Sequence, residues 1–169
     1  MTKSTVEAHR EDAPQALCCG VITASDSRTL QTDAGGQLVV ELLEQAGHAV
    51  SRREIIPDEP TALRQLIGQM RAADIEVILI TGGTGIASRD WTHDTVSSLL
   101  TKPIPGYGEL FRMLSFEEIG AAAILSRAVG GVCDRSLIFT MPGSPAGVRL
   151  AMERLIVPEL PHLVRELRR

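Results

Sequence analysis

Apolar runs of strand length alternate with stretches of helical period along most of this chain. Leu17 to Ala24 reads as a first strand centred on Val21 and Ile22. Asp33 is placed to cap a helix running to about Ala46, whose apolar face combines Leu38, Val39, Leu42, Leu43 and Ala46, and Gly47 ends it. Ala49 to Ile56 is a second strand, stopped by Pro57-Asp58-Glu59-Pro60. Thr61 is a candidate cap for the next helix, with Leu63, Leu66, Ile67 and Met70 at helical spacing. Ile75 to Thr81 forms a third strand. Its run Val77-Ile78-Leu79-Ile80 is unbroken, as expected of a strand buried on both faces of a parallel sheet.

After that strand come a short helix to Leu100, a proline-marked loop from Lys102 to Pro105, and a helix from Gly108 to Ile119. This helix is expected to carry Leu110, Phe111, Met113 and Leu114 on one side. Ala121 to Gly131 begins apolar and ends in a glycine pair. Ser136 to Met141 is a fourth strand, and Ala146 to Arg168 is a helix interrupted at Pro158 and Pro161. Strand, helix, strand, helix, strand is the pattern of right-handed βαβ units. The expected fold is a three-layer α/β/α domain with a mostly parallel sheet, spanning residues 17–169. Residues 1–16 are polar and aperiodic, which predicts a loose tail.

Composition narrows the function classes. The chain has 169 residues, enough for one domain with a substantial core. A net charge of −4 argues against an extended nucleic-acid surface. No apolar stretch reaches membrane-spanning length, and the first residues lack the apolar segment of a signal peptide, so a cytoplasmic protein is expected. Cys18, Cys19 and Cys133 have no C-x-x-C spacing and read as small buried residues rather than zinc ligands. His93, in Asp90-Trp91-Thr92-His93-Asp94, is a poor partner for Mg²⁺, which favours oxygen donors.

Each proposed strand ends in chemically loaded residues: Asp26, Asp58, Thr81-Gly82-Gly83-Thr84-Gly85, and Pro142-Gly143-Ser144-Pro145. In an open parallel sheet such exits share one edge, where ligands bind. Glycines there allow positive φ and let a ligand approach bare N–H groups, which suits a phosphate. Carboxylates beside such a loop fit Mg²⁺ bridging to phosphates. The structural alternatives are a tight turn without ligand, a Ser/Asp turn at Asp26 and a proline turn at Asp58. The loop has neither the Lys of a P-loop nor the last glycine of G-x-G-x-x-G. Arg127, between Ser126 and the glycine pair, is a candidate second anion contact, or a surface arginine at a helix end.

Taken in order, several motifs resemble the MoaB/MogA family of molybdenum cofactor biosynthesis proteins. They are Ser25-Asp26-Ser27, Ile56-Pro57-Asp58-Glu59, Thr81–Gly85, Ser88-Arg89-Asp90, Gly106-Tyr107-Gly108-Glu109-Leu110-Phe111-Arg112, Leu125-Ser126-Arg127 and Met141–Pro145. Met113 to Gly120 is similar to the MoaB branch in particular. The resemblance covers about Cys19 to Pro161. It implies adenylylation of molybdopterin by Mg-ATP, giving adenylylated molybdopterin and pyrophosphate. Asp58 and Asp90 match the catalytic, metal-holding acids. Asp26, Thr81, Gly82, Gly83, Thr84 and Gly85 would bind nucleotide. Ser126, Arg127, Pro142, Gly143, Ser144 and Pro145 would face the pterin. Mg²⁺ is the implied cofactor and ATP the co-substrate. A homotrimer or hexamer is implied, with other enzymes of the pathway as further partners.

The chain departs from the family pattern at Trp91-Thr92-His93-Asp94, where Val-Thr-Pro-Glu is frequent, and at Ser144, where the adenylyltransferases commonly carry Asn. A non-catalytic pterin-binding or scaffold protein of the same pathway is the alternative. Molybdate-inserting relatives carry extra domains that 169 residues cannot hold. The stretch Tyr107 to Ile119 is left over: it holds Tyr107, Phe111 and Phe116 in a chain with 3% aromatic residues. Its apolar groups occupy more than one helical face, which fits either a wrapped core helix or a subunit interface.

Overall fold

A computed structural model describes residues 16–169, so the expected tail lies outside the described residues but for Ala16. Six strands form one sheet: β1 (Cys18–Ala24), β2 (Ala49–Ile56), β3 (Val77–Thr81), β4 (Lys102–Pro103), β5 (Gly130–Cys133) and β6 (Ser136–Met141). Their spatial order is β2-β1-β3-β6-β5-β4. The four strands β2, β1, β3 and β6 run parallel, and β5 and β4 add an antiparallel edge. The helices are α1 (Ala34–Gln45), α2 (Pro60–Ala72), α3 (Thr92–Leu99), α4 (Pro105–Ile119), α5 (Pro145–Ala151) and α6 (Val157–Leu167). A 3₁₀ helix, Gly120–Leu125, follows α4, and a π-helical turn, Met152–Ile156, joins α5 to α6.

Side chains alternate across the sheet with period two. Val21, Leu79, Leu137 and Phe139 pack under α1, α4 and the α5–α6 arm. Ile22, Ile78, Ile80 and Ile138 pack under α2 and α3 on the other face. All five residues of β3 are buried, so its unbroken apolar run has two helical layers to satisfy. The three-layer α/β/α architecture with a mostly parallel sheet is therefore the observed fold.

Several local expectations are corrected. Asp33 caps α1 through the Gly36 N–H (2.9 Å), as its position predicts. Thr61 does not cap α2, which starts at Pro60 with Glu59 ahead of it and no side-chain cap; the proline needs no donor in the first turn. The loop from Lys102 and the end of the Ala121–Gly131 stretch supply β4 and β5. Lys102–Pro103 contains a proline and Gly130–Cys133 opens on two glycines, so both are weak strand signals; β5 is held by pairing with β6, and β4 by pairing with β5. The C-terminal helix is not broken at Pro158 or Pro161. The chain stays helical through both, and the ladder shifts register in the π turn just before them, where lost proline donors leave the i→i+4 pattern unpaired.

Helix α4 also divides differently. Tyr107, Phe111 and Leu114 enter the core, and the Tyr107 hydroxyl donates to the Thr140 carbonyl (2.8 Å). Leu110, Met113, Phe116 and Ile119 face outward. Among the described residues, no helix is long and apolar enough to cross a membrane.

Candidate functional site

The parallel strands β1, β3 and β6 deliver their C-terminal residues to one cavity of about 610 Å³. Thr23, Ala24 and Ser25 come from β1 and its exit, Gly82 to Gly85 from the exit of β3, and Pro142 to Ser144 from the exit of β6. Helix α4 and the 3₁₀ turn close the cavity with Phe111, Ser115, Glu118, Ile119 and Leu125.

The glycine loop leaves β3 with Gly82 at φ +93° and Gly83 at φ +62°. A Cβ at Gly82 would strike the Ala24 carbonyl, and one at Gly83 would strike the Asp58 carboxylate and the Thr92 hydroxyl. The close approach that these glycines permit is thus filled first by the protein's own atoms, before any ligand. The Gly82 N–H bonds to the Met141 carbonyl (3.0 Å). The N–H groups of Gly83, Thr84 and Gly85 donate to no described residue. Thr84 is buried, and its hydroxyl also makes no hydrogen bond to a described residue. This leaves a short row of unspent donors lining the cavity, the arrangement that takes an anion.

Asp58 lies behind the loop, 7% exposed. The carboxylate expected at the strand exit is therefore covered rather than open at the sheet edge. Its Oδ1 accepts from the Trp91 N–H (3.2 Å) and, at 3.5 Å, from the Thr92 hydroxyl. Burial raises its pKa above the ordinary 3.8; the Trp91 N–H opposes this, while the nearby charges of Asp90 and Asp26 add to it. Asp90 lines the cavity, and its Oδ2 accepts from the Ala87 N–H (2.7 Å). Asp26 turns into a neighbouring groove and pairs with Arg89 (2.9 Å). Thr81 spends its hydroxyl on the Pro142 carbonyl (3.0 Å), which ties the exits of β3 and β6 together.

Arg127 sits differently from a ligand-facing arginine. Its Nε donates to the Gly85 carbonyl (2.7 Å), one Nη to the Asp90 carbonyl (2.9 Å), and the other to Asp94 (3.0 Å). The guanidinium therefore braces both ends of the loop that carries Asp90, and it lies outside the cavity lining. The His93 ring meets the Arg127 carbonyl through Nδ1 and so belongs to the same brace. Ser126, Pro142, Gly143 and Ser144 line the cavity; Pro145 begins α5 and does not. Ser144 also caps α5 through the Gly147 N–H (3.2 Å), and Trp91 is about half exposed beside Arg127.

Six polar cavity residues lie outside the sequence-predicted set: Thr23, Ser25, Arg28, Asp33, Ser115 and Glu118. Arg28 ends the Ser25-Asp26-Ser27-Arg28 run, so its place beside a strand exit was a usable signal. Ser115 and Glu118 share a helical stripe with Phe111, a spacing visible in the sequence but masked there by the surrounding apolar residues.

Residues 20–162 match the family described as a probable molybdopterin binding domain. The chain belongs to this family. A molybdenum cofactor biosynthesis protein B from Halalkalibacterium halodurans is 50% identical over 165 residues, covering 96% of this chain and 97% of that relative. A crystal structure of a molybdenum cofactor biosynthesis protein B superposes with a TM-score of 0.89 at 49% identity, covering 93% of this chain and 99% of that one. The tungsten cofactor synthesizing protein MoaB from Pyrococcus furiosus superposes at 0.84 with 32% identity, over 93% of this chain and all of that one (100%). As a member of the molybdopterin-binding family on its MoaB branch, the chain has the fold of its relatives over nearly its whole described length.

Proposed function

We propose that the chain acts in molybdenum cofactor biosynthesis by adenylylating molybdopterin with Mg-ATP. An oxygen of the pterin's terminal phosphate bonds to the α-phosphorus of ATP. The α–β phosphoanhydride bond breaks, and its electron pair leaves with pyrophosphate. The observation that carries this reading is the row of unspent N–H groups at Gly83, Thr84 and Gly85, in a cavity that Asp90 lines and with Asp58 behind the glycine loop, in a chain of the molybdopterin-binding family.

The donor set fits Mg²⁺. Asp58 and Asp90 are oxygen ligands that each keep one carboxylate oxygen clear of the backbone N–H bonds they accept. The charges of Asp90 and Asp26 also raise the Asp58 pKa, a repulsion that a cation would relieve. Asp58 and Asp90 would hold the ion, and it would supply charge neutralisation on the phosphates. The chain does the rest by position. The loop amides hold phosphate oxygens, the Thr84 hydroxyl adds a donor, and Arg127 keeps Asp90 at a fixed height above the loop. A reaction on ATP is consistent with a cytoplasmic protein, and the exposed apolar face of α4 supports self-association into a trimer or hexamer.

The test is pyrophosphate release from Mg-ATP by the wild-type protein, with and without molybdopterin. Release that requires molybdopterin is the expected result. Binding of molybdopterin with no release would overturn the transferase reading and leave a pterin-binding scaffold.

A further inference from the structure

We propose that the cavity wall built by α4 holds the pterin bicycle and that Glu118 selects it by its amino-substituted edge. This rests on molybdopterin as the ligand and adds the group that recognises its ring.

The cavity has walls of different chemistry. The strand-exit loops offer amides and hydroxyls. The wall from α4 and the 3₁₀ turn is apolar through Phe111, Ile119 and Leu125, which suits a flat heteroaromatic ring. Within that wall stand Ser115 and Glu118. Phe111, Ser115, Glu118 and Ile119 occupy i, i+4, i+7 and i+8 of the helix, one stripe that begins in the core and runs out along the cavity. Ser115 is only 5% exposed, yet its hydroxyl has no hydrogen-bond partner among the described residues. Its oxygen is not sealed from solvent but opens onto the cavity, where it is free to serve a ligand atom. Glu118 makes no ion pair or hydrogen bond with any described residue.

The pterin ring presents a ring N–H and an adjacent exocyclic amino N–H on one edge. Two parallel donors match the two oxygens of a carboxylate, a pairing with both strength and direction. The ring carbonyl next to that N–H is an acceptor that the Ser115 hydroxyl can serve. A ring with an oxo group in place of the amino group would set oxygen against oxygen at Glu118, so the same carboxylate rejects it.

The experiment is a titration of the intact protein with pterin and with lumazine, the analogue carrying that oxo group. Wild type is expected to prefer pterin by about tenfold or more, the scale of losing one hydrogen-bond pair to a charged group. Glu118→Gln offers one donor and one acceptor, so its preference should vanish or invert toward lumazine. A merely structural role cannot produce that inversion, and unchanged melting of the variant excludes misfolding. Retention of the wild-type preference by Glu118→Gln overturns the proposal, as does a wild type that binds neither ring or binds both equally. Pyrophosphate release is scored separately: a protein that selects pterin through Glu118 but releases none refutes adenylyl transfer and leaves the ring site standing.

Discussion

The Asp58 carboxylate is nearly out of water, and its close charged neighbours, Asp90 and Asp26, are also acids. Its pKa in the fold is raised, so the folded protein binds this proton more tightly than the unfolded chain does. Stability from this group is therefore fullest at low pH and is lost as pH rises from about the ordinary 3.8 through the raised folded value. Asp58→Asn removes the buried charge and keeps an oxygen for the Trp91 N–H. Above that window the variant should melt at or above the wild-type temperature, with the gap closing as pH falls below it. Its kcat for pyrophosphate release should drop by about a hundredfold or more, the scale of losing one electrostatic stabiliser. Asp90→Asn should lose activity to a similar extent. Melting curves across the acid range, run beside the turnover assay, check both. An Asp58→Asn protein that melts well below wild type at neutral pH would make the carboxylate a structural group. Gly83→Val belongs to the same residue pair, because the new side chain enters the space of Asp58. It should both lower the melting temperature and abolish Mg-ATP binding in calorimetry.

At the scale of elements, the loop from Gly83 to Asp90 is positioned from outside by Arg127, on the connection between the 3₁₀ turn and β5. Truncation at Arg127→Ala releases the Gly85 and Asp90 carbonyls together. Hydrogen exchange in residues 83–94 should then accelerate while the β1 and β3 amides stay protected, and kcat should fall more than ATP affinity. Unchanged exchange there would remove the brace. The sequence could reveal Arg127 as notable but not its direction, because donors aimed at two distant backbone carbonyls and the Asp94 carboxylate leave no periodic trace. The parallel strands were legible for a physical reason: Val77 to Ile80 must satisfy two helical layers, so every position is apolar. Asp33 was legible because a cap needs its side chain at a fixed offset. Gly130-Gly131-Val132-Cys133 was not, since that strand exists only through its pairing with β6. The glycine loop was visible, but the burial of Asp58 behind it depends on a contact between residues far apart in the chain.

For the whole molecule, the outward side of α4 remains to be covered. Leu110, Met113 and Phe116 stand exposed on it, with Ile119 at its end and Ile124 on the following 3₁₀ turn, Phe116 at 61% and Ile124 at 82%. Met113, Phe116, Ala121 and Ile124 form a shallow apolar groove with only Arg112 charged at its side. Contiguous patches of this kind on a water-soluble surface mark interaction sites, and Met and Phe are enriched in interface cores. The inner side of the same helix is already packed, with Phe111 and Leu114 in the core, so burial within one subunit cannot account for the outer residues. A second copy of the chain is the occupant consistent with the assembly that we infer. Phe116→Asp would then place an unpaired charge in the interface, at a cost of several kcal/mol. Because Phe116 is exposed in the isolated subunit, the substitution should leave the subunit folded. Light scattering after size exclusion should show wild type as a trimer or hexamer and Phe116→Asp as a smaller species with native circular dichroism. A monomeric wild type removes this interface, and a variant that keeps the wild-type mass moves it to another face. Ile119 and Leu125 belong both to this exposed side and to the cavity wall, so dissociation should also weaken ligand binding, which the same samples can report.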